Sequence, residues 1–522
     1  MSRKQKKAHE QSSENHDPGN ECLPEGKRMR SLTGLILGPL LFIILLIMPV
    51  PAGMEPAAMR VAAITLLMAT WWITEAIPIP ATSLLPIVLY PLLGVMESSQ
   101  VTLAYGNHLV YLFMGGFFIA VTVEKWDLHK RIALHTIRLV GVTPNRIILG
   151  MMLATAFLSM WISNLASTMM MVTIGMAVLQ HTTVQLQKEN ADVDTRKGHF
   201  RFGVALMLSI GYAASIGGIS TLVGTAPNAL FAGILQQNYG VTISMVDWMV
   251  FAFPLALVML IITWLFLTRF AWPPGINHLP GGQEFVHEEI TKLGKISSAE
   301  MKVTAVLILV AGLWIANGLF DYKILEGVYD SSIAILGALL LFIIPADFSR
   351  REFLLDWKTA VGIPWDVLLL FGGGFALAAG FEHSGLTMMV ASKLSALQGQ
   401  HILVIIVTIT ALVIFLTEVT SNTATATIIL PIMLVLAEGM QVHPYGLMLA
   451  AVISASFAFM LPVATPPNAI VFGSRYVTMP QMVRAGIWLN VTGILLITGF
   501  VYYLLPLVWG IHLDAFPADF PR

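Results

Sequence analysis

Charge is what this sequence has least of. Only 11% of its 522 residues are Asp, Glu, Lys or Arg, less than half the roughly 25% of an ordinary soluble domain. That charge nearly cancels, with 29 basic against 30 acidic side chains, so there is no basic field to draw nucleic acid. Cysteine is scarcer still: the single Cys22 excludes an internal disulfide and a thiolate metal cluster. No HExxH, nucleophile elbow or paired catalytic carboxylates occur, which argues against an enzyme.

In place of charge there are apolar runs, recurring from about residue 33 to about residue 508 in a chain that is 56% hydrophobic. A bilayer core roughly 30 Å thick is crossed by about 20 apolar residues, and a soluble core cannot hide so many such runs. The sequence therefore predicts an all-α polytopic membrane protein. Eleven transmembrane helices are expected near 33–51, 57–75, 77–95, 108–125, 203–238, 246–268, 302–319, 331–346, 364–382, 445–474 and 485–508. Two further apolar stretches, 145–180 and 402–437, are too long for one span. Each is interrupted midway by Ser-Asn, and each reads as a hairpin that enters the membrane without crossing it.

Basic residues orient the chain. With the N-terminus in the cytoplasm, the inward segments are 1–31, 125–147, 181–202, 269–302, 347–363 and 475–484, and they hold most of the Lys and Arg. The expected layout is a disordered cytoplasmic arm, 1–31, a first span, 32–56, and a first repeat, 57–270. A cytoplasmic linker, 271–301, a second repeat, 302–510, and an external tail, 511–522, follow.

The repeats are visible by self-comparison. Phe113, Gly115, Gly116, Phe117, Ala120, Glu124 and Leu128 recur 258 residues later as Phe371, Gly373, Gly374, Phe375, Ala378, Glu382 and Leu386. The same offset carries Ser163-Asn164 onto Ser421-Asn422 and Ser159 onto Thr417. At an offset of 240, Thr225-Ala226-Pro227-Asn228 pairs with Thr465-Pro466-Pro467-Asn468. Each copy holds five spans and one hairpin, an odd number of crossings, so the second copy is inverted. Inverted repeats are the plan of secondary transporters, which place substrate and coupling ions between the repeats.

The motifs supply suitable groups. Ser and Asn cap helix N-termini, and proline breaks a span. Each break ends one half-helix in carbonyls, fit for Na⁺, and opens the next in N–H groups, fit for a carboxylate. No Lys or Arg lies within these motifs, so bound cations must supply the charge that offsets a dianion. The Gly-Gly pairs read as close-packing contacts, and Glu124 and Glu382 as interfacial acids. Glu418, three residues before the second tip, is open to either a supporting or a functional role.

At MWISNLAST (160–168), GTAPNA (224–229), TSNTATATIILP (420–431) and ATPPNA (464–469), with WWITEAIPIPATSLLP (71–86), the chain resembles the divalent-anion/sodium symporter family. The resemblance covers nearly everything after residue 31. It implies a homodimer in the bacterial inner membrane, in which a transport domain moves like an elevator against a fixed scaffold. It implies Na⁺-coupled transport of small di- or tricarboxylates such as succinate, malate or fumarate. Substrate contacts would fall to Ser163, Asn164, Thr225, Ser421, Asn422, Thr423, Thr465 and Pro466. One Na⁺ would sit near Ser159, Ser163, Asn164 and Gly224, and another near Thr417, Thr420, Asn422 and Ala464. Leu165 and Ala226 depart from the family pattern, where threonine and proline would stand.

Three rivals remain on these residues. A Na⁺-independent exchanger, or a carrier of another divalent anion such as sulfate or tartrate, would share every motif. A Na⁺/H⁺ antiporter or arsenite pump would want buried aspartates at the crossing, which both tips lack.

Overall fold

The computed structural model describes residues 25–51, 53–189, 193–276, 278–279, 281–319, 328–386, 389, 400–518 and 520. In chain order the helices of the first half are α1 Glu25–Ile47, α2 Pro56–Thr74, α3 Ile79–Thr82, α4 Leu85–Leu92, α5 Ser98–Tyr105 and α6 His108–Lys125. They continue as α7 Leu128–Val140, α8 Pro144–Ser159, α9 Asn164–Lys188, α10 Arg201–Gly218, α11 Ala226–Tyr239 and α12 Met245–Leu265. The second half holds α13 Gly282–Leu293, α14 Ser298–Leu319, α15 Asp330–Ile343, α16 Trp357–Ala360 and α17 Trp365–His383. After these come α18 Ile402–Thr417, α19 Asn422–Met440, α20 Pro444–Ser454, α21 Pro466–Gly473, α22 Met479–Gly499 and α23 Leu505–Trp509. A two-stranded antiparallel hairpin, β1 Pro345–Asp347 with β2 Glu352–Phe353, follows α15. Trp126 and Lys125 at the end of α6 dock there, on the Leu354 carbonyl (2.8 Å) and the Asp356 carboxylate (2.7 Å). The Lys125 ammonium and the Thr359 N–H hold the Asp356 carboxyl down at about 2.

Among the described residues, ten helices are long and apolar enough to cross a bilayer, and the protein is a multi-pass membrane protein. Eight overlap expected spans, and the other two are α9 and α19, the second helices of the hairpins. Four expected spans are shorter or broken. The run 77–95 splits into α3 and α4 around its prolines, 203–238 divides into α10 and α11, α15 has only 14 residues, and 445–474 divides into α20 and α21. Differences also arise at the ends and the linker. Helix α1 already begins at Glu25, inside the arm expected to be disordered, and residues 1–24 lie outside the described ones. The linker carries α13. The tail packs inward, with Phe516 and Phe520 against Tyr239. Lys323 and Lys393 also lie outside the described residues.

The repeat is physical. Helices α8 and α18 are both 16 residues long and both begin and end 258 positions apart. Phe113 and its counterpart Phe371 meet edge to face, ring centroids 4.8 Å apart, so the twofold relation of the halves passes between them. Their glycine neighbours bring the repeats together. A side chain on Gly115 of α6 would collide with the Ala334 backbone on α15. On Gly373 of α17 it would collide with the Ser83 backbone between α3 and α4. These are equivalent contacts, each made across the repeat boundary, where the absence of a side chain lets backbones close up.

Gly115→Val should therefore lower the melting temperature of the detergent-purified protein by several degrees, from an overpacking penalty of about 1–3 kcal/mol. Gly116→Ala meets only Val223 at 3.7 Å and should melt like the parent. Equal melting of parent and Gly115→Val would remove the close contact from the account of this fold.

Candidate functional site

The first hairpin breaks between α8 and α9. Ser163 caps α9, its hydroxyl accepting from Ala166 N at 3.2 Å. Ser159, the last residue of α8, is fully buried, with its hydroxyl 2.6 Å from Asn164 Oδ1 and 2.8 Å from the Ala214 carbonyl of α10. The second hairpin repeats each piece. Ser421 caps α19 through Ala424 N (3.2 Å), and Thr417 lies 2.9 Å from Asn422 Oδ1 and 2.8 Å from the Ala455 carbonyl after α20. One hydroxyl carries one proton and faces two acceptors in each case. Each tip thus gathers more oxygens than protons, the imbalance that a cation corrects.

The two broken spans close around these tips. Gly218 ends α10 against Asn164 Oδ1, where any side chain would collide with the amide, and Gly224 abuts the Gly218 carbonyl in the same way. Thr225 and Thr465 cap α11 and α21 with nearly identical backbones, φ/ψ of −147/144° and −141/148°. The Thr465 hydroxyl accepts from Asn468 N (3.4 Å), which leaves its proton to donate elsewhere, and Thr225 makes no side-chain cap. Packing crosses between halves here as well: α9 lies against α21, and α19 against α11. Tyr212 of α10 donates to the Phe459 carbonyl in the second break at 2.9 Å. The N-termini of α9, α11, α19 and α21 thereby belong to one assembly, with the carbonyl ends of α8, α10, α18 and α20 beside them.

The remaining expected residues occupy varied settings. Ser163, Asn164, Thr225, Ser421, Asn422 and Thr423 are half-buried at the tips and caps, Thr465 and Ala464 are buried, and Pro466 is exposed as the first residue of α21. Thr420 turns its hydroxyl inward, to Leu416 O (2.8 Å) and Thr425 (2.6 Å), which leaves its backbone carbonyl as the oxygen it can offer. Leu165 is 45% exposed rather than packed inside the hairpin.

Glu418 acquires a definite place. It is 3% exposed, and one oxygen accepts from Phe459 N (2.8 Å), Met460 N (2.9 Å) and Asn490 Nδ2 (2.7 Å), while the other accepts from Leu461 N (3.0 Å). All four partners are donors, the environment of a carboxylate rather than of an acid. It binds the unwound segment between α20 and α21. In the first repeat its position is Met160, whose carbonyl accepts from Thr221 (2.5 Å), and Thr221 in turn accepts from Gly224 N (3.0 Å). Sequence reading missed Tyr212 and Asn490. A lone amide in the apolar run 485–508 was the available signal for Asn490; Tyr212 carried none. Among the described residues no group of three His, Cys, Asp or Glu could hold a metal.

Comparisons with known proteins bear on the fold and the family. Two solved transporters share the fold at low identity. The Alcanivorax borkumensis YdaH transporter has a TM-score of 0.56 and 14% identity over 92% of this chain and 98% of its own. Neisseria gonorrhoeae MtrF, described as illuminating a class of antimetabolite efflux pumps, has 0.56 and 12% over 90% and 95%. In sequence the chain is 45% identical over 486 residues to the sodium-dependent dicarboxylate transporter SdcS of Staphylococcus aureus strain USA300, covering 92% of this chain and 93% of that one. It is 43% identical over 484 residues to SdcS of Staphylococcus saprophyticus, covering 92% of each. The profile described as the sodium:sulfate symporter transmembrane region matches residues 29–510, so the chain belongs to that family of transporters.

Proposed function

We propose that this protein is a secondary active carrier of small dicarboxylates of the succinate, malate and fumarate kind, driven by Na⁺ across a bacterial inner membrane. The observation that carries the reading is the pair of equivalent oxygen clusters, Ser159–Asn164–Ala214 and Thr417–Asn422–Ala455. Each is poor in protons and sits beside helix N-termini that attract anions. Relatives named sodium-dependent dicarboxylate transporters, similar over more than nine-tenths of their length, support the same ions and substrates. One Na⁺ binds at Ser159, Ser163, Asn164 and Gly224, and a second at Thr417, the Thr420 carbonyl, Asn422 and Ala464. The substrate carboxylates meet Ser163, Asn164, Ser421, Asn422 and Thr423, with Thr225, Thr465 and Pro466 alongside.

In this account the hairpins and broken spans move as one body, elevator fashion, against a scaffold in a homodimer whose N-termini are cytoplasmic. The tight interlocking of α9 with α21 and of α19 with α11 supports a single moving unit. A divalent anion such as sulfate is the second reading. The family's description names sulfate, and Leu165 removes a hydroxyl that a longer dianion would use. A panel of unlabelled acids and sulfate competing with labelled succinate in proteoliposomes separates the two.

Uptake of succinate into empty vesicles should require inward Na⁺. If one net charge moves per cycle, about 100 mV inside negative adds about 2.3 kcal/mol, or roughly fifty-fold accumulation. Equal uptake in choline and sodium would rule out Na⁺ symport.

Asn164→Ala and Asn422→Ala should each abolish uptake while gel-filtration profile and yield stay close to the parent. Normal uptake by either variant would end the two-tip site.

Thr423→Ala should raise the Michaelis constant for succinate by about ten- to hundred-fold, the loss of one hydrogen bond to a charged group. Leu165→Ala should change it little, and Leu165→Thr should lower it or broaden the acids accepted. If Leu165→Thr folds and leaves both properties unchanged, the two carboxylates are not held unequally.

A further inference from the structure

Both breaks carry one more matched device, which the cation and substrate ligands above do not use. Asn228 and Asn468 are the third residues of α11 and α21, and they are 0% and 1% exposed. Asn228 Nδ2 turns back to Thr221 O (2.7 Å), Gly218 O (3.3 Å) and Ile219 O (3.4 Å). Asn468 Nδ2 turns back to Ala458 O (3.0 Å) and Leu461 O (3.1 Å). In both halves the amide thus reaches carbonyls seven and ten residues upstream. Only an NH₂ group can meet these carbonyls, which fixes which way each amide faces. The cost is the same in both: Asn228 Oδ1 and Asn468 Oδ1 are buried with no partner.

The pinned carbonyls stand next to the oxygens that would hold the ions. Gly218 lies against Asn164 Oδ1, and Gly224 against the Gly218 carbonyl. In the second half Ala464 N donates to the pinned Leu461 carbonyl at 3.2 Å. An unwound loop has several carbonyls free to turn either way. Tying three of them in the first break and two in the second to an amide leaves the next ones to face the gap between break and hairpin tip. We propose that Asn228 and Asn468 are positioning residues for the two coupling cations: each holds its break in the one shape that presents carbonyl oxygen to Na⁺, without touching the substrate. The inference rests on the reading that a cation binds at each tip.

Asp in place of Asn keeps size and Oδ1 but turns the pinning donor into an acceptor facing carbonyls. Asn228→Asp and Asn468→Asp, purified and in proteoliposomes, should each raise the half-saturating Na⁺ concentration at least about fivefold. The succinate Michaelis constant at saturating Na⁺ should stay within about twofold of the parent. The Na⁺-induced rise in melting temperature, read without transport, should shrink in step. Should the Asp variants fail to run as single species on gel filtration, Asn→Ser, which removes the pinning without adding charge, carries the same comparison. Ser159→Ala serves as the reference for the cation reading. If it weakens Na⁺ while the Asn variants match the parent, the positioning role is overturned and the cation site stands. If none of the variants shifts Na⁺, both are overturned. Tighter Na⁺ in the Asp variants would make Oδ1 a ligand and overturn the positioning role, as would a change confined to the succinate constant.

Discussion

A membrane-buried backbone must find every hydrogen-bond partner within the protein, and four interrupted helical connections in this chain raise that demand to its limit. At each interruption one half-helix ends in free carbonyls and the next begins in free N–H groups. The tips meet part of the demand by Ser163 and Ser421 capping. The broken spans meet more of it by the backward-reaching amides of Asn228 and Asn468, and, in the second half, by the carboxylate of Glu418. What these leave over is a cluster of oxygens with few protons at each tip. On the proposed reading, cation and anion complete the set, and coupling follows because neither guest has its full complement of partners without the other.

The two halves meet this constraint with unequal means. Where the first break is held by neutral groups around Thr221, the second is held by a buried carboxylate with four donors. Where the second tip offers the Thr423 hydroxyl, the first offers Leu165, which is exposed and apolar. A buried carboxyl group beside the second tip and a missing hydroxyl at the first give two tips of matched shape and unequal chemistry. A buried charge is tolerated only when fully paired, and the partners of Glu418 come from two separate segments, 459–461 and Asn490. Removal of that carboxylate would leave the N–H groups of Phe459, Met460 and Leu461 and the Asn490 amide without this acceptor.

Much of this was legible in the residues. Long apolar runs broken by Ser-Asn marked both hairpins and the 258-residue offset paired them, because Ser-Asn at a cap and Gly at a close contact are local requirements that sequence states directly. The glycine pairs were expected to pack, and Gly115 and Gly373 do so against equivalent backbones. Boundaries were less legible: α1 starts at Glu25, and α3 and α4 part within a run that read as one span. The partners of Glu418 were not legible at all. They lie 41 to 72 positions away, and no periodicity connects them. Asn228 and Asn468 stood in plain view within the Thr-x-Pro-Asn motifs. Their role depends on a side chain folding back over seven and ten residues, which only the shape of the break reveals.

The central claim is that Na⁺ and the dianion complete each other's coordination, so their binding must be linked in equal measure. Equilibrium binding of labelled succinate to the purified protein, measured in choline and at saturating Na⁺ at one ionic strength, tests it without any transport step. The account predicts at least about a hundred-fold tighter binding with Na⁺, a coupling of about 2.7 kcal/mol, and a matching gain in Na⁺ affinity when succinate is saturating. The same dissociation constant in both salts would contradict it, because the anion would then be held by the protein alone.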